Sequence, residues 1–138
     1  KDSDSIFVVM IDMNNLKLIN DTLGHKQGDI GICTIAKATE RTAHRGEICV
    51  RAGGDEFYIV GVGEYKPEDG ETRVAEFREN LKTENEISTA EWNYQAAVGF
   101  SIVETEAGNA LQEAISRADD AMYVDKSKKI KMLSQKVK

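Results

Sequence analysis

Three acidic residues of this sequence stand at positions from which they could bind a metal ion together. Asp55 and Glu56 directly follow two glycines in the stretch RAGGDEF, residues 51–57, and Asp12 closes an apolar run. If the strands that carry them pair, the carboxylates converge, and each like-charge pair at 4 Å costs about 4 kcal/mol at an effective dielectric constant of 20. A cation should then neutralise them, and oxygen ligands without clustered His or Cys favour Mg²⁺ or Mn²⁺ over zinc.

The turn that carries Asp55 and Glu56 also has an ordinary interpretation. Paired glycines in a hairpin are most often only turn chemistry, and an acidic residue beside them is usually solvated. A metal site would give the glycines a second use, because a turn without side chains lets a polyphosphate approach the backbone.

Apolar patterning predicts the elements that would position these carboxylates. The run Ile6–Ile11 is typical of a strand covered on both faces and ends at Asp12. A short helix follows to about Leu23 and is closed by Gly24, and a longer helix then runs until Gly46. The apolar face of that longer helix comprises Ile32, Ile35, Ala36, Thr39 and Ala43.

The second half of the chain begins with the hairpin. It is predicted to join two buried strands, with Gly53 and Gly54 turning at positive φ. A helix with Pro67 in its first turn follows, then a strand, a last helix and a basic tail from Lys126 to Lys138. The apolar markers are Val74, Phe77 and Leu81 in the helix, Ala96, Val98, Phe100 and Ile102 in the strand, and Leu111, Ala114, Ile115, Ala118, Ala121 and Met122 in the last helix.

This order predicts a single α/β domain over residues 1–138, an α+β sandwich with the hairpin at the centre or edge of its sheet and helices on its faces. The net charge of −6 disfavours nucleic acid and anionic membranes as partners. No apolar run approaches the roughly 18 residues of a membrane span. Cys33 and Cys49 are expected to be buried, reduced thiols of a cytoplasmic protein.

Three stretches resemble one known family. Residues 51–57 carry intact the signature that names the GGDEF domains, the bacterial diguanylate cyclases. DMNNLKLINDTLGHKQGD (12–29) resembles the family's D-x-D-x-F-K-x-x-N-D-x-x-G-H-x-x-G-D segment, and RADDAMYVDK (117–126) resembles its A-D-x-A-M-Y-x-x-K element. The resemblance runs from Ile6 to about Lys129 and implies a mixed central sheet, similar to that of nucleotidyl cyclase and polymerase palm domains.

The resemblance also implies an activity. Two GTP molecules, one on each subunit of a homodimer, would be joined into cyclic di-GMP with release of pyrophosphate. Asp12, the backbone carbonyl of Met13 and Asp55 would hold two divalent ions, Mg²⁺ or Mn²⁺, on the triphosphate. Asp55 and Glu56 are the catalytic candidates, Glu56 either assisting metal binding or deprotonating the attacking hydroxyl. The ordinary alternative for Asp12 and Asn14 is to cap the short helix.

The same resemblance implies the substrate-binding residues. Asn20 and Asp29 match guanine-reading positions, where a carboxylate can accept hydrogen bonds from the N1–H and N2–H₂ groups that adenine lacks. Helix N-termini are suited to binding phosphate. The residues that would receive the phosphates are Asn15 and Leu16 through backbone N–H groups, Gly54 in the open turn, and Lys126.

Some positions depart from the family pattern. The inhibitory product site R-x-x-D is matched by residues 44–47, where His44 lacks the bidentate guanidinium fork and Glu47 replaces Asp, so weak or absent feedback inhibition is predicted. A family arginine four residues after the lysine is Ile130 here, which could raise the Michaelis constant for GTP or lower turnover. The residues left to compensate are Lys128, Lys129 and Lys131. A segment that usually precedes the first strand is missing, so we expect the domain to lack its N-terminal start.

Three functions follow from these observations. The first is an active diguanylate cyclase in bacterial second-messenger signalling, controlled by dimerisation through an N-terminal sensory domain and located in the cytoplasm or in the cytoplasmic part of a membrane-bound receptor. The second, favoured by Ile130, is a catalytically weak or inactive domain that binds GTP and regulates a partner domain. The third is a structural or interaction domain. The intact carboxylates favour the first.

Overall fold

The computed structural model describes residues 4–106, 108–128 and 134–136 of the chain. The central sheet has the strand order β2-β3-β1-β5 and consists of β1 (Ser5–Met13), β2 (Ile48–Arg51), β3 (Glu56–Gly63) and β5 (Ala96–Glu104). The helices are α1 (Leu16–Leu23), α2 (His25–Thr42), α3 (Pro67–Ile87) and α4 (Ala110–Lys128). A separate small sheet, which the sequence did not predict, pairs β4 (Trp92–Asn93) with β6 (Ser134–Gln135).

The predicted α/β class is confirmed, but the described sheet is not mixed. Each of its pairings, β1 with β3, β1 with β5 and β2 with β3, is antiparallel. The order of strands and helices along the chain does not fix the direction in which distant strands pair, so this detail could not be read from the sequence.

The central strand β1 is buried on both faces, as predicted. Phe7 and Ile11 point to the face covered by α2 and α3, whereas Val8 and Met10 point to the face covered by α4. The strand ends at Met13 rather than at Asp12, because Met13 still pairs with β5.

Helix α2 ends at Thr42, four residues before the predicted stop at Gly46. Its buried face includes Thr34, Ile35, Ala38, Thr39 and Thr42, whereas the predicted Ile32 and Ala36 are only half-buried. The threonines tolerate burial because each hydroxyl donates a hydrogen bond to the carbonyl four residues earlier, at 2.7 to 2.9 Å.

The hairpin strand β2 is an exposed edge rather than a buried strand. Ile48 is 59% exposed, because α4 packs on β5 and β1 and leaves the β2 side of the sheet face open. Cys49 on β2 and Cys33 on α2 are also exposed, so the prediction of buried thiols was wrong. Across the described residues, no helix combines the length and apolarity that crossing a bilayer requires.

The position of α4 is fixed by small side chains and by Asp125, whose carboxylate accepts hydrogen bonds from Arg78 and from the N–H of Val98. Ala114 and Ala118 lie on its buried face, whereas the predicted Leu111 is exposed. A Cβ at Gly99 of β5 would lie 2.2 Å from the backbone nitrogen of Met122, so glycine allows this close approach. The predicted basic tail therefore begins as the last turn of α4, and residues 129–133, 137 and 138 lie outside the described part of the chain.

Candidate active site

The C-terminal end of β1 meets the hairpin turn, and this contact brings the predicted carboxylates to one corner of the sheet. Asp12 pairs in register with Glu56, the first residue of β3. The N–H of Met13 donates a hydrogen bond to the carbonyl of Asp55 at 2.9 Å. Within the described residues, however, no three His, Cys, Asp or Glu side chains are close enough to hold a metal by themselves. The three carboxylates share the corner without forming a closed cluster.

The turn itself is held by Arg51. Its guanidinium donates hydrogen bonds to the carbonyls of Gly53 at 3.1 Å and Gly54 at 2.7 Å. Neither glycine adopts positive φ, so that prediction was wrong. A Cβ added at Gly54 would meet no heavy atom within 4 Å, so the turn faces open space. Sequence reasoning missed Arg51, because a sequence does not show toward which side of a turn a long side chain folds.

Asp12 is the most perturbed carboxylate of the corner. Its side chain is 8% exposed, and Oδ2 accepts a hydrogen bond from Nζ of Lys126 at 3.1 Å. Burial raises the pKa of Asp12 to about 6, against the lowering effect of the Lys126 hydrogen bond and charge, and the charges of Asp55 and Glu56 raise it further. The ionised form of Asp12 is therefore short of positive charge, which is the condition that a divalent cation would correct.

Three buried oxygens at this end of the molecule have no hydrogen-bond partner. They are Oδ1 of Asp12, Oδ1 of Asn14 and Oδ1 of Asn20, and they are the buried side-chain polar atoms left unpaired in the described part of the chain. An unpaired buried acceptor costs about 1–3 kcal/mol, so native proteins keep few of them. Asp12 lies at the end of β1, Asn14 in the segment that follows it and Asn20 on the adjoining α1, and these unpaired acceptors point to a ligand that supplies cations or hydrogen-bond donors.

Asn20 and Asp29, the predicted guanine-reading residues, lie on α1 and α2, and Asn20 meets α2 at Gly28, the residue before Asp29. Oδ1 of Asn20 lies 1.9 Å from the position that a Cβ would take at Gly28, the residue before Asp29. Asp29 follows Gly28 on α2 and is exposed, so its carboxylate is accessible. Gly28 is a further residue that the sequence reasoning missed, although its place directly before Asp29 in the matched segment was a usable signal.

The start of α1 carries the predicted phosphate-binding backbone. Asn15 is the N-cap of α1 in the left-handed conformation, with φ 62°, which asparagine tolerates better than most residues. The alternative that Asp12 or Asn14 caps this helix is therefore wrong. Leu16 is the first helical residue, and N–H groups of a first turn have no acceptor within their own helix.

Only some of the predicted basic residues lie in the described part of the chain. Lys126 reaches the corner from the last turn of α4, and Lys128 ends that helix with its side chain exposed. Ile130, Lys129 and Lys131 lie outside the described residues. We refer to Asp12, Asn14, Asn20, Asp55 and Glu56 as the active-site corner.

A second polar cluster lies at the predicted inhibitory site. The side chain of Glu47 is 3% exposed and forms an ion pair with Arg73, whose side chain is also buried. One oxygen of Glu47 also accepts a hydrogen bond from the Tyr65 hydroxyl at 2.7 Å, and the other accepts one from the N–H of His44 at 2.8 Å. Although burial raises it, these contacts hold the pKa of Glu47 below its ordinary value.

His44 links Arg73 to a further carboxylate of this cluster, that of Glu76. Nδ1 of His44 lies 2.9 Å from the Arg73 guanidinium, and Nε2 lies 3.0 Å from a carboxylate oxygen of Glu76. The guanidinium of Arg73 also lies over the Phe7 ring, 5.1 Å from its centroid. We refer to His44, Glu47, Tyr65, Arg73 and Glu76 as the Glu47 network.

Comparison with known proteins identifies relatives of the chain. The chain is 33% identical over 127 residues to the probable diguanylate cyclase DgcJ and 31% identical over 127 residues to the diguanylate cyclase DgcP, both of Escherichia coli K12. The matches cover 91% of this chain but 24% and 37% of those proteins. The chain thus spans about a quarter to slightly more than a third of the length of these curated relatives.

Solved structures of a diguanylate cyclase and of a GGDEF domain also match this chain. The diguanylate cyclase SiaD of Pseudomonas aeruginosa, solved with its activator SiaC, superposes with a TM-score of 0.75 at 27% identity, covering 90% of this chain and 47% of that one. The GGDEF domain of DgcB from Caulobacter crescentus, solved with c-di-GMP, gives 0.71 at 25% identity, covering 91% and 74%. The family model "Diguanylate cyclase, GGDEF domain" matches residues 1–131. Because this match takes in both the carboxylate corner and the helices around it, the chain belongs to the GGDEF domain family of diguanylate cyclases.

Proposed function

We propose that this domain is a diguanylate cyclase, which converts two GTP molecules into one cyclic di-GMP and two pyrophosphates. The observation that carries the proposal is the set of unpaired buried oxygens on Asp12, Asn14 and Asn20 beside an intact GGDEF turn. A nucleotide with its metal offers cations to Asp12 and hydrogen-bond donors to Asn20, so one ligand would satisfy acceptors that the protein leaves unpaired.

Guanine recognition is assigned to the α1–α2 contact. Asn20 offers an unpaired amide oxygen on α1, and Asp29 offers an exposed carboxylate on α2. Together they accept from the N1–H and N2–H₂ edge of guanine, whereas adenine presents no such pair of donors. The domain should therefore select GTP over ATP.

Asp12 and Asp55, with the carbonyl of Met13, are the residues that would hold Mg²⁺ or Mn²⁺. When bound, two such ions would neutralise charge on the attacking and leaving oxygens of a phosphoryl transfer. The donor set fits, because Mg²⁺ is commonly bound by one or two carboxylates and takes its remaining oxygens from water and phosphates. Asp12 contributes a buried oxygen without a partner, and Glu56 stands beside it as the group that assists metal binding or accepts the proton of the attacking hydroxyl.

Cyclic di-GMP contains two guanines, whereas one chain supplies one pair of guanine-reading residues. Two chains must therefore face each other, so that the 3′-hydroxyl of each GTP can attack the α-phosphorus of the other. Control of this pairing by a flanking domain or by an activator protein would regulate the activity, and the relative SiaD was solved with its activator.

The test is to incubate the purified chain with GTP and Mg²⁺ at high protein concentration and to separate the products by chromatography. Asp55→Asn should abolish cyclic di-GMP synthesis, whereas the control Asp120→Asn, an exposed position on α4, should not. If the wild type binds GTP in a metal-dependent way but makes no product, the proposal is wrong. The domain is then a GTP-binding regulator, the function that Ile130 favours. If it neither binds nor converts GTP, both functions are wrong.

A further inference from the structure

In the free protein, Lys126 is hydrogen-bonded to Asp12, the carboxylate that a metal would need. Its ammonium donates to Oδ2 of Asp12 at 3.1 Å, and the lysine side chain is 42% exposed where the aspartate side chain is 8% exposed. The other oxygen of Asp12 is buried and unpaired. Within the described residues, the Lys126 ammonium is the positive charge that contacts this carboxylate.

A lysine and a divalent ion compete for one carboxylate. Mg²⁺ binds oxygens at about 2.0–2.1 Å, and an ammonium held on the same carboxylate would repel it strongly at that range. Lys126 must therefore move away from Asp12, or be neutralised, when a metal binds there.

The neighbouring carboxylate offers Lys126 no alternative. Oδ1 of Asp125 accepts from Arg78 at 2.8 Å, and Oδ2 accepts from the N–H of Val98 at 3.0 Å. Both oxygens of Asp125 are thus committed to holding α4 against α3 and β5. A bound phosphate would be the anion that receives the displaced ammonium.

We propose that Lys126, held on Oδ2 of Asp12 in the free protein, competes with a metal for that carboxylate, and that substrate binding is an exchange in which the metal takes Asp12 while the triphosphate takes Lys126. This rests on the proposed function, since it assumes a metal–triphosphate ligand. The exchange makes metal binding weak without nucleotide and strong with it, so the metal takes Asp12 only when the triphosphate is there to receive Lys126.

The test compares metal binding with and without nucleotide, using Mn²⁺ followed by electron paramagnetic resonance. Lys126→Met should bind Mn²⁺ alone about tenfold more tightly than the wild type, because the competing charge is gone, and should bind GTP in the presence of Mn²⁺ about tenfold more weakly. Lys37→Met, which removes the same charge from an exposed position on α2, should change neither constant. Lys126→Gln serves as a second variant if Lys126→Met does not fold.

The proposal is tested by the opposite directions of two effects in Lys126→Met, tighter binding of Mn²⁺ alone and weaker binding of GTP in the presence of Mn²⁺. If the variant binds Mn²⁺ alone no better than the wild type, the exchange is wrong and Lys126 is only a phosphate contact. A wild type that fails to bind GTP with Mn²⁺ and makes no cyclic di-GMP would instead refute the proposed function. In that case a gain in Mn²⁺ affinity would still support the competition at Asp12, and no gain would overturn it.

Discussion

Asp12 and Glu47 are both buried carboxylates paired with a basic side chain, but their surroundings differ. In the Glu47 network both oxygens of Glu47 accept hydrogen bonds, and Arg73 is buried with it. At the active-site corner Asp12 has one contact from a partly exposed lysine, and its other oxygen is unpaired. The pKa of Glu47 is accordingly lowered, whereas burial raises that of Asp12. A satisfied cluster stabilises the fold, and an unsatisfied one is available for a ligand.

The largest expected effect separates function from stability at the corner. Asp12→Asn should lower cyclic di-GMP synthesis about 1000-fold, because an amide is a poor ligand for a divalent ion and carries no charge. The free energy of unfolding without metal should not fall, because the variant removes a buried charge that is poorly compensated. Turnover and denaturant unfolding measured on the same preparation check both halves, and an Asp12→Asn protein that unfolds more easily would contradict the comparison.

Arg73→Met should have the opposite profile. It leaves the Glu47 carboxylate buried without its cation, and breaking a buried pair costs about 3–5 kcal/mol. Denaturant unfolding should show a loss of about 3 kcal/mol, most of it recovered when Glu47→Gln is added. Lys17→Met, which breaks an exposed ion pair on α1, should change the free energy by less than about 0.5 kcal/mol. Equal losses of unfolding free energy for Arg73→Met and Lys17→Met would contradict the account.

Gly28→Ala tests whether the α1–α2 contact reads the base. The new Cβ would lie 1.9 Å from Oδ1 of Asn20, so the amide must turn away. We expect the dissociation constant for GTP to rise about tenfold, a loss near 1.4 kcal/mol. Since Asn20 can move, the thermal midpoint should change little. Isothermal titration with GTP measures the affinity, and an unchanged value would remove Asn20 from the guanine site.

The pH dependence of stability should reveal Glu47. Its pKa is lower in the folded protein than its ordinary value of 4.5, so the unfolded chain takes up the proton first as the pH falls. The stabilisation is therefore fully present above about pH 4.5 and is lost as the pH falls through the folded-state pKa. Wild type should lose more unfolding free energy than Glu47→Gln between about pH 6 and about pH 3.5. Unfolding curves at both pH values measure it, and parallel losses would count against the network.

The smallest expected effect concerns the product. Glu47 faces inward to Arg73, and both ring nitrogens of His44 contact Arg73 or Glu76, so we expect neither residue to bind cyclic di-GMP. Adding the product at tens of micromolar should change the initial rate by less than about twofold. Initial rates at several product concentrations check this, and inhibition at low micromolar levels would show that the site still works.

The sequence predicted the positions of the candidate site residues on the strands and the turn better than it predicted their surroundings. The position of Asp12 at a strand end and of Asp55 and Glu56 after a turn followed from apolar runs and a local signature. The antiparallel direction of the pairings in the described central sheet did not, because pairing of distant strands is decided by the packing of the whole chain. The exposure of Ile48 and Cys49 depends on how far α4 extends across the sheet, which local patterns do not encode.

The Glu47 network, in which Glu47 faces inward to Arg73, also could not be predicted from the sequence. Local matching placed His44 and Glu47 at an inhibitory site, but Arg73 is 26 residues from Glu47 along the chain. The role of Gly28 depends in the same way on Asn20 of a different helix. Residues whose role is set by a neighbour in space could be assigned only with the fold in hand.

The most direct test of the central claim, that the unpaired buried oxygens mark the substrate site, is the shift in thermal midpoint on adding GTP with Mg²⁺. A ligand that binds only the folded state at 100 times its dissociation constant stabilises it by about 2.7 kcal/mol, which corresponds to several degrees here. We predict this shift for wild type with GTP, little with ATP, and a clearly smaller shift with GTP for Asp12→Asn and for Asn20→Ala. Equal shifts with GTP and ATP, or a GTP shift that neither substitution reduces, would contradict the account.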